Sequence, residues 1–114
     1  VGTTTVAVNV ATALSRLDRG SRTLLVDMHQ AAGDASVFTG VEPKFSVLNA
    51  VENTHRLDRS YFSGLVVEIV AGLDLLASSD RPFPGQTDPA RIRTVLDFVR
   101  TLYRHVVLDL PRSD

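Results

Sequence analysis

The chain has 114 residues, 44% hydrophobic and 22% charged, which is the composition of one ordinary globular domain with a core of its own. Lys+Arg 12 against Asp+Glu 13 leaves a net charge of −1 without a basic stretch, which argues against a nucleic-acid partner. The absence of cysteine excludes disulfides, thiolate metal sites and a cysteine nucleophile. No apolar run is long enough to span a membrane, and we expect a cytoplasmic protein.

The first predicted elements are a helix and a buried strand. Residues Thr3 to Leu17 have helical spacing of apolar side chains, and Gly20 is a plausible stop signal. The residues expected on the buried face are Val6, Val10, Ala13, Leu14 and Leu17. A short apolar run then begins at Thr23 and ends in Asp27, which predicts a parallel strand.

Short helices and further strands follow in the middle of the chain. Ser46 is expected to cap a helix over Val47–Glu52, and Asp58 a second one through Phe62. Residues 65–70 and 73–77 predict two strands or one broken strand, which periodicity alone does not distinguish. The aromatic residues expected in the core are Phe45, Phe62 and Phe98.

The last predicted elements are a helix from Asp88-Pro89 to about Tyr103 and a strand, Val106 to Leu108, that ends in Asp109. This alternation predicts an α/β domain whose parallel sheet is covered on both faces. In such sheets ligands bind beyond the carboxyl ends of the strands. We expect residues 1–114 to be a single partial domain from inside a longer protein, because the sequence starts without Met at a loop and stops after a strand.

The Gly-Thr-rich start of the first helix is a candidate phosphate site. Gly2 before a helix lets backbone N–H groups face an anion, and the hydroxyl of Thr4 stands where a phosphate-binding loop places its Mg²⁺ ligand. Thr3 occupies the position of the usual lysine. The alternative is that these threonines only cap the helix.

Two acidic residues at strand ends are candidate metal ligands. Asp27 and Asp109 each follow an apolar run, and carboxylates placed in this way beside a phosphate loop hold a hard cation directly or through water. The alternative for Asp27 is that it caps the loop after its strand.

Three other residues stay open between a functional role and none. His29 is a metal ligand, a base or a solvated loop residue, and Asp34 is a functional acid or a local cap. Arg112 faces phosphate or solvent. His55 and His105 are expected at the surface.

Three segments resemble motifs of the MinD/ParA family of ATPases, which carry a deviant Walker A motif. Val1 to Ala11 resembles their Walker A region and the helix after it, and Leu24 to Asp34 resembles their Asp-x-Asp and Gly-Asp motif. Val106 to Pro111 resembles their Walker B. Val41 to Lys44, Val51 to Asp58, Gly72 to Ala77 and Leu108 to Arg112 are similar to the CpaE/TadZ branch, the Flp (tad) pilus assembly proteins.

The resemblance implies a P-loop NTPase fold, a three-layer α/β sandwich with a mostly parallel sheet that is truncated here at both ends. It implies ATP and Mg²⁺ as cofactors, with a catalytic role for Asp27. Thr4, Asp27 and Asp109 would be the metal site, and the nucleotide would contact Val1, Gly2, Thr3, Thr4 and Thr5. It also implies a homodimer that works with pilus assembly and secretion proteins at the cell pole near the inner membrane, with a receiver-like domain upstream.

Two departures from the family pattern predict ATP binding with weak or absent hydrolysis. Thr3 replaces the P-loop lysine, and His29 replaces the second Asp of Asp-x-Asp. The alternatives are a non-enzymatic scaffold of the same fold and an active ATPase of the chromosome-partitioning type. A response-regulator receiver is rejected, because Lys44, the only lysine, lies in a loop beside a proline and not at a strand end.

Overall fold

The computed structural model describes residues 2–29, 40, 43–79 and 88–110. The elements in chain order are α1 (Gly2–Leu17), β1 (Thr23–Asp27), α2 (Val47–Glu52), a 3₁₀ turn (Thr54–Arg56), α3 (Arg59–Ser63), β2 (Val67–Val70), β3 (Leu73–Leu76), α4 (Pro89–Leu102) and β4 (His105–Asp109). Among the described residues, no helix combines the length and the hydrophobicity that crossing a membrane requires.

The four described strands form one sheet in the order β2-β3-β1-β4. β1 pairs in parallel with β3 on one side and with β4 on the other. All five residues of β1 are buried, as expected for a central strand with packed faces on both sides. The predicted buried strand at Thr23 to Asp27 is therefore confirmed.

β2 departs from the parallel arrangement, because it pairs antiparallel with β3. Only two residues, Ala71 and Gly72, separate the two strands, and so short a connection joins only antiparallel neighbours. Gly72 has a φ of 83°, a conformation that glycine adopts without strain. The sequence had left one broken strand or two strands open, and the structure has two.

Helices cover both faces of the sheet, as the predicted three-layer sandwich requires. On one face, Ala7 and Ala11 of α1 pack against apolar residues of the sheet such as Leu25 and Leu75. On the opposite face, α2, α3 and α4 pack over Leu24 and Val26. The alternation of side chains along β1 explains this division, since successive residues of a strand point to opposite faces.

The predicted buried face of α1 is wrong. Val6, Val10 and Leu17 are 61%, 44% and 84% exposed. The buried positions are instead small residues at helical spacing, namely Thr4, Ala7, Ala11 and Ser15. Small side chains let the helix approach the sheet closely, and the larger apolar residues are left on the outer side of the helix.

The helix starts predicted from capping residues are confirmed. The Ser46 side chain accepts a hydrogen bond from the Leu48 N–H, and Asp58 and Asp88 accept in the same way at the starts of α3 and α4. These caps fix the short helices where the sequence placed them.

The aromatic predictions are confirmed for two residues of three. Phe62 is buried and meets the ring of Phe98 edge to face at 5.8 Å. Phe45 is 45% exposed, so its placement in the core is wrong. It precedes the Ser46 cap and so lies outside the helix that packs on the core.

Candidate functional site

Two buried carboxylates meet at the carboxyl end of the sheet. β1 and β4 pair so that Asp27 lies opposite Asp109, and each residue is 1% exposed. Asp27 and Asp109 each come two residues after a residue that packs on the α1 side, Leu25 and Val107, so both carboxylates belong to that face. The structure therefore brings together the two strand-end acids that the sequence singled out.

His29 is bound to the first of these carboxylates. Its backbone N–H donates to Oδ1 of Asp27 at 3.0 Å, and its ring Nδ1 lies 2.7 Å from the same oxygen. Nδ1 also stands 3.7 Å from Oδ2 of Asp109. The interpretation of His29 as a solvated loop residue is wrong, and Asp27 does cap its loop as one alternative held.

The Asp109 carboxylate is buried without a hydrogen bond. Neither of its side-chain oxygens has a hydrogen-bond partner among the residues that the structure describes. Burying a charged group in this state is costly unless a cation or a hydrogen-bond donor compensates it. His29 approaches it, but at 3.7 Å it does not make a hydrogen bond. Within the described part of the chain, the negative charge of this site is therefore not fully compensated.

The start of α1 lies at the same end of the sheet as the two acids. α1 packs on β1 and β4, and a short turn from its last residue, Leu17, leads directly into β1 at Thr23. The helix must therefore run opposite to β1. Its 16 residues extend about 24 Å, whereas the 5 residues of β1 extend about 16 Å, so the helix start reaches the carboxyl end of the strand.

The carboxyl end of the sheet offers groups that can bind an anion and a cation side by side. The first turn of a helix offers unpaired backbone N–H groups and partial positive charge to an anion. Two carboxylates offer oxygen ligands to a divalent cation. Thr4 is 2% exposed in the first turn, where its side chain lies against the domain and not in solvent.

The remaining predicted residues divide between the described and the undescribed parts of the chain. Val1, Asp34 and Arg112 lie outside the described residues, as do the side chains of residues 2 and 3. His55 is exposed as predicted. His105 is only partly exposed, because its Nε2 lies 2.8 Å from Oδ2 of Asp18 in the turn after α1.

A second buried acid, Asp74, accepts hydrogen bonds through both of its carboxylate oxygens. Asp74 of β3 accepts two short contacts from the Arg22 guanidinium, at 2.7 and 2.8 Å, and one from the Tyr103 hydroxyl at 2.6 Å. This cluster lies near the amino end of β1 and its charges are satisfied internally. We interpret it as a structural connection.

Sequence reasoning missed the contact that joins His29 to both acids. The signal that could have found it is the spacing Asp27-x-His29, because a side chain two residues after a strand end can turn back over the strand-end carboxylate.

The chain is similar in structure to two solved proteins. A ParA family ATPase from Chlorobium tepidum TLS matches with a TM-score of 0.81 and 24% identity, over 96% of this chain and 46% of that one. A chain of the MinC:MinD cell division protein complex of Aquifex aeolicus matches with a TM-score of 0.65 and 24% identity, over 93% and 40%. This chain therefore has the MinD/ParA-like fold and spans less than half the length of the structures it matches.

Comparisons of sequence add no closer relative. No family model and no curated protein sequence matches the chain.

Proposed function

We propose that this chain is part of an ATP-binding domain in which a divalent cation, in the first instance Mg²⁺, accompanies the nucleotide. The observation that carries the proposal is the pair of buried carboxylates Asp27 and Asp109, in register at the carboxyl ends of two parallel strands. The absence of a hydrogen-bond partner for Asp109 among the described residues fits a cation at this place. The fold likeness to a ParA family ATPase supports the nucleotide.

Each part of the site has a role in this proposal. The backbone N–H groups at the start of α1, from Gly2 to Thr5, bind phosphate, and the Thr4 hydroxyl and the two carboxylates hold the cation. When bound, the cation neutralises negative charge on the phosphates. Burial of both acids excludes water from their far side, which strengthens their attraction for the cation.

The cellular role that we propose rests on the sequence resemblance to the CpaE/TadZ branch. In this role the parent protein localises or assembles Flp pilus machinery as an ATP-dependent homodimer, in the cytoplasm near the inner membrane at the pole. The proposal predicts loss of Flp pili when the gene is deleted, scored by electron microscopy. A normal number of pili in the deletion strain would refute this role and would not affect the ATP-binding proposal.

Titration of the full-length protein with a fluorescent ATP analogue tests nucleotide binding. We expect Asp109→Ala to abolish the gain in affinity that Mg²⁺ provides and Thr4→Ala to weaken Mg²⁺-dependent binding about tenfold, as loss of one metal-site contact does elsewhere. Thr4→Ser, which keeps the hydroxyl, and Asp97→Ala, which removes an exposed acid of α4, are the matched controls.

Equal affinity for the unmodified protein, Thr4→Ala and Asp109→Ala would refute the site. No binding by the unmodified protein would leave the alternative of a non-enzymatic scaffold.

A further inference from the structure

We propose that Asp27, His29 and Asp109 form a three-ligand site selective for a divalent transition metal, such as Mn²⁺, over Mg²⁺. The inference rests on the proposed function in one respect, because it specifies which cation the same site holds. It does not depend on whether a nucleotide binds.

The three side chains are already gathered around one point. One donor atom from each lies within 4.8 Å of the donor atoms of the other two. Metal–ligand distances near 2.0–2.2 Å place neighbouring donors about 3.0–3.5 Å apart. The distances from His29 Nδ1, 2.7 Å to Asp27 Oδ1 and 3.7 Å to Asp109 Oδ2, bracket this spacing. Small movements of the side chains would therefore complete the site.

Asp109 supplies the independent indication that a ligand belongs here. It is 1% exposed, both of its carboxylate oxygens lack a hydrogen-bond partner among the described residues, and one of them faces the His29 ring. A cation between His29 and Asp109 would satisfy that carboxylate. The His29 side chain is 25% exposed, which leaves a route of entry from solvent.

The nitrogen ligand decides the selectivity. Mg²⁺ prefers oxygen ligands in octahedral geometry and keeps several waters, whereas imidazole is a good ligand for first-row transition metals. Two carboxylates balance the two positive charges of the metal, and the neutral imidazole of His29 adds a nitrogen ligand without adding charge. An acid at position 29 would instead make the site all oxygen, the type that suits Mg²⁺.

The hydrogen bond from the His29 backbone explains why this ligand is available. The His29 N–H donates to Asp27 Oδ1 at 3.0 Å and holds the residue after the strand in a tight turn. This turn directs the ring back over the two strand ends. The ligand set is therefore prepared by the backbone before any metal arrives.

Direct metal titration of the tag-free full-length protein without nucleotide tests the inference. Free Mn²⁺ is followed by its electron paramagnetic resonance signal, and Mg²⁺ is added as a competitor. We expect Mn²⁺ to bind at least about tenfold more tightly than Mg²⁺, and His29→Asn to lower Mn²⁺ affinity about tenfold or more with little change for Mg²⁺. His55→Asn, the same change at an exposed histidine, is the matched control.

Pulsed electron paramagnetic resonance of bound Mn²⁺ provides a second measurement that needs no variant. Coupling to a histidine nitrogen is expected in the unmodified protein and in His55→Asn. Its absence, or equal Mn²⁺ affinity of the unmodified protein and His29→Asn, would overturn the inference. Neither result would affect ATP binding measured with Mg²⁺, so the two proposals fail separately.

Discussion

At the scale of single residues, the charges of the candidate site determine which ligands it can bind. Asp27 and Asp109 contribute negative charge that a cation balances. Thr3 and His29 stand where the MinD/ParA family, which this sequence resembles, has a lysine and a carboxylate. Phosphoryl transfer depends mainly on charge neutralisation and positioning, so under the proposed function we expect these two changes to weaken hydrolysis more than binding.

We expect the full-length protein to hydrolyse ATP very slowly or not at all. Thr3 supplies a hydroxyl but no positive charge, and His29 is held against Asp27 in place of a second acid. Loss of one transition-state contact of this kind costs on the order of 10²-fold in rate. The double change Thr3→Lys with His29→Asp is expected to raise phosphate release, measured with a coupled assay in Mg²⁺.

The single changes and a remote control complete this experiment. Thr3→Lys alone is expected to restore part of the rate, and Arg93→Lys on the exposed side of α4 none. Rapid Mg²⁺-dependent phosphate release by the unmodified protein would contradict the prediction.

The site residues that could be predicted are those with a strong local pattern. An apolar run followed by an acid identified Asp27 and Asp109, because strand ends of a parallel sheet share one edge. The orientation of the His29 ring depends on a turn stabilised by the Asp27 side chain, and the sequence signals that turn only through the spacing of the two residues. The missing partner of Asp109 could not be predicted, because it is a property of the packed sheet.

At the scale of elements, Asp74 connects three parts of the fold. Asp74 lies in β3 and accepts a hydrogen bond from the hydroxyl of Tyr103, at the end of α4. It also accepts hydrogen bonds from the guanidinium of Arg22, the residue before β1. Burial, together with the hydrogen bond to Asp74, raises the pKa of the Tyr103 phenol. The network therefore favours the protonated form of Tyr103 in the folded state.

This network predicts a loss of stability at alkaline pH. An unfolded tyrosine releases its proton near pH 10, whereas the folded protein keeps the proton on Tyr103. The stabilisation of the folded state by Tyr103 is therefore complete below about pH 10 and is lost as the pH rises above that value. Tyr103→Phe is expected to lower the free energy of unfolding by about 1.5–3 kcal/mol at pH 7, by loss of a hydrogen bond to a charged group. The difference between the two proteins should shrink above pH 10.

Urea unfolding of the full-length protein at several pH values measures this effect. Tyr61→Phe is the control, because it removes the hydroxyl of the other tyrosine in the chain and leaves the Asp74 network intact. A gap between Tyr103→Phe and the unmodified protein that stays constant from pH 7 to pH 11 would argue against the proposed linkage.

The elements themselves were largely predictable, but not the face that α1 buries. Its sequence has two stripes at helical spacing, one of larger residues such as Val6 and Leu17 and one of small residues such as Ala7 and Ala11. Hydrophobicity favours the first stripe, whereas close packing on a sheet favours the second. Periodicity identifies a helix but does not decide which of two such stripes is buried. The buried stripe is determined by how closely the helix packs on the sheet.

At the scale of the whole molecule, the described residues leave two apolar surfaces uncovered. β4 is at the edge of the described sheet, with Leu108 and Leu110 at 37% and 55% exposure. The outer stripe of α1 adds Val6, Val10 and Leu17. An open strand edge next to exposed apolar side chains is a template for pairing with another chain.

We therefore expect the 114-residue chain on its own to be poorly folded and to self-associate as its concentration rises, measured by size-exclusion chromatography with light scattering. Leu108→Lys places a charge on the open edge of β4 and should reduce this association, because lysine at an edge opposes strand pairing. Leu17→Lys makes the same change on α1, where Leu17 is 84% exposed, and should reduce it less. If the open edge of β4 causes the association, Leu108→Lys will self-associate less than Leu17→Lys. A monodisperse monomer with a cooperative thermal transition would contradict the prediction.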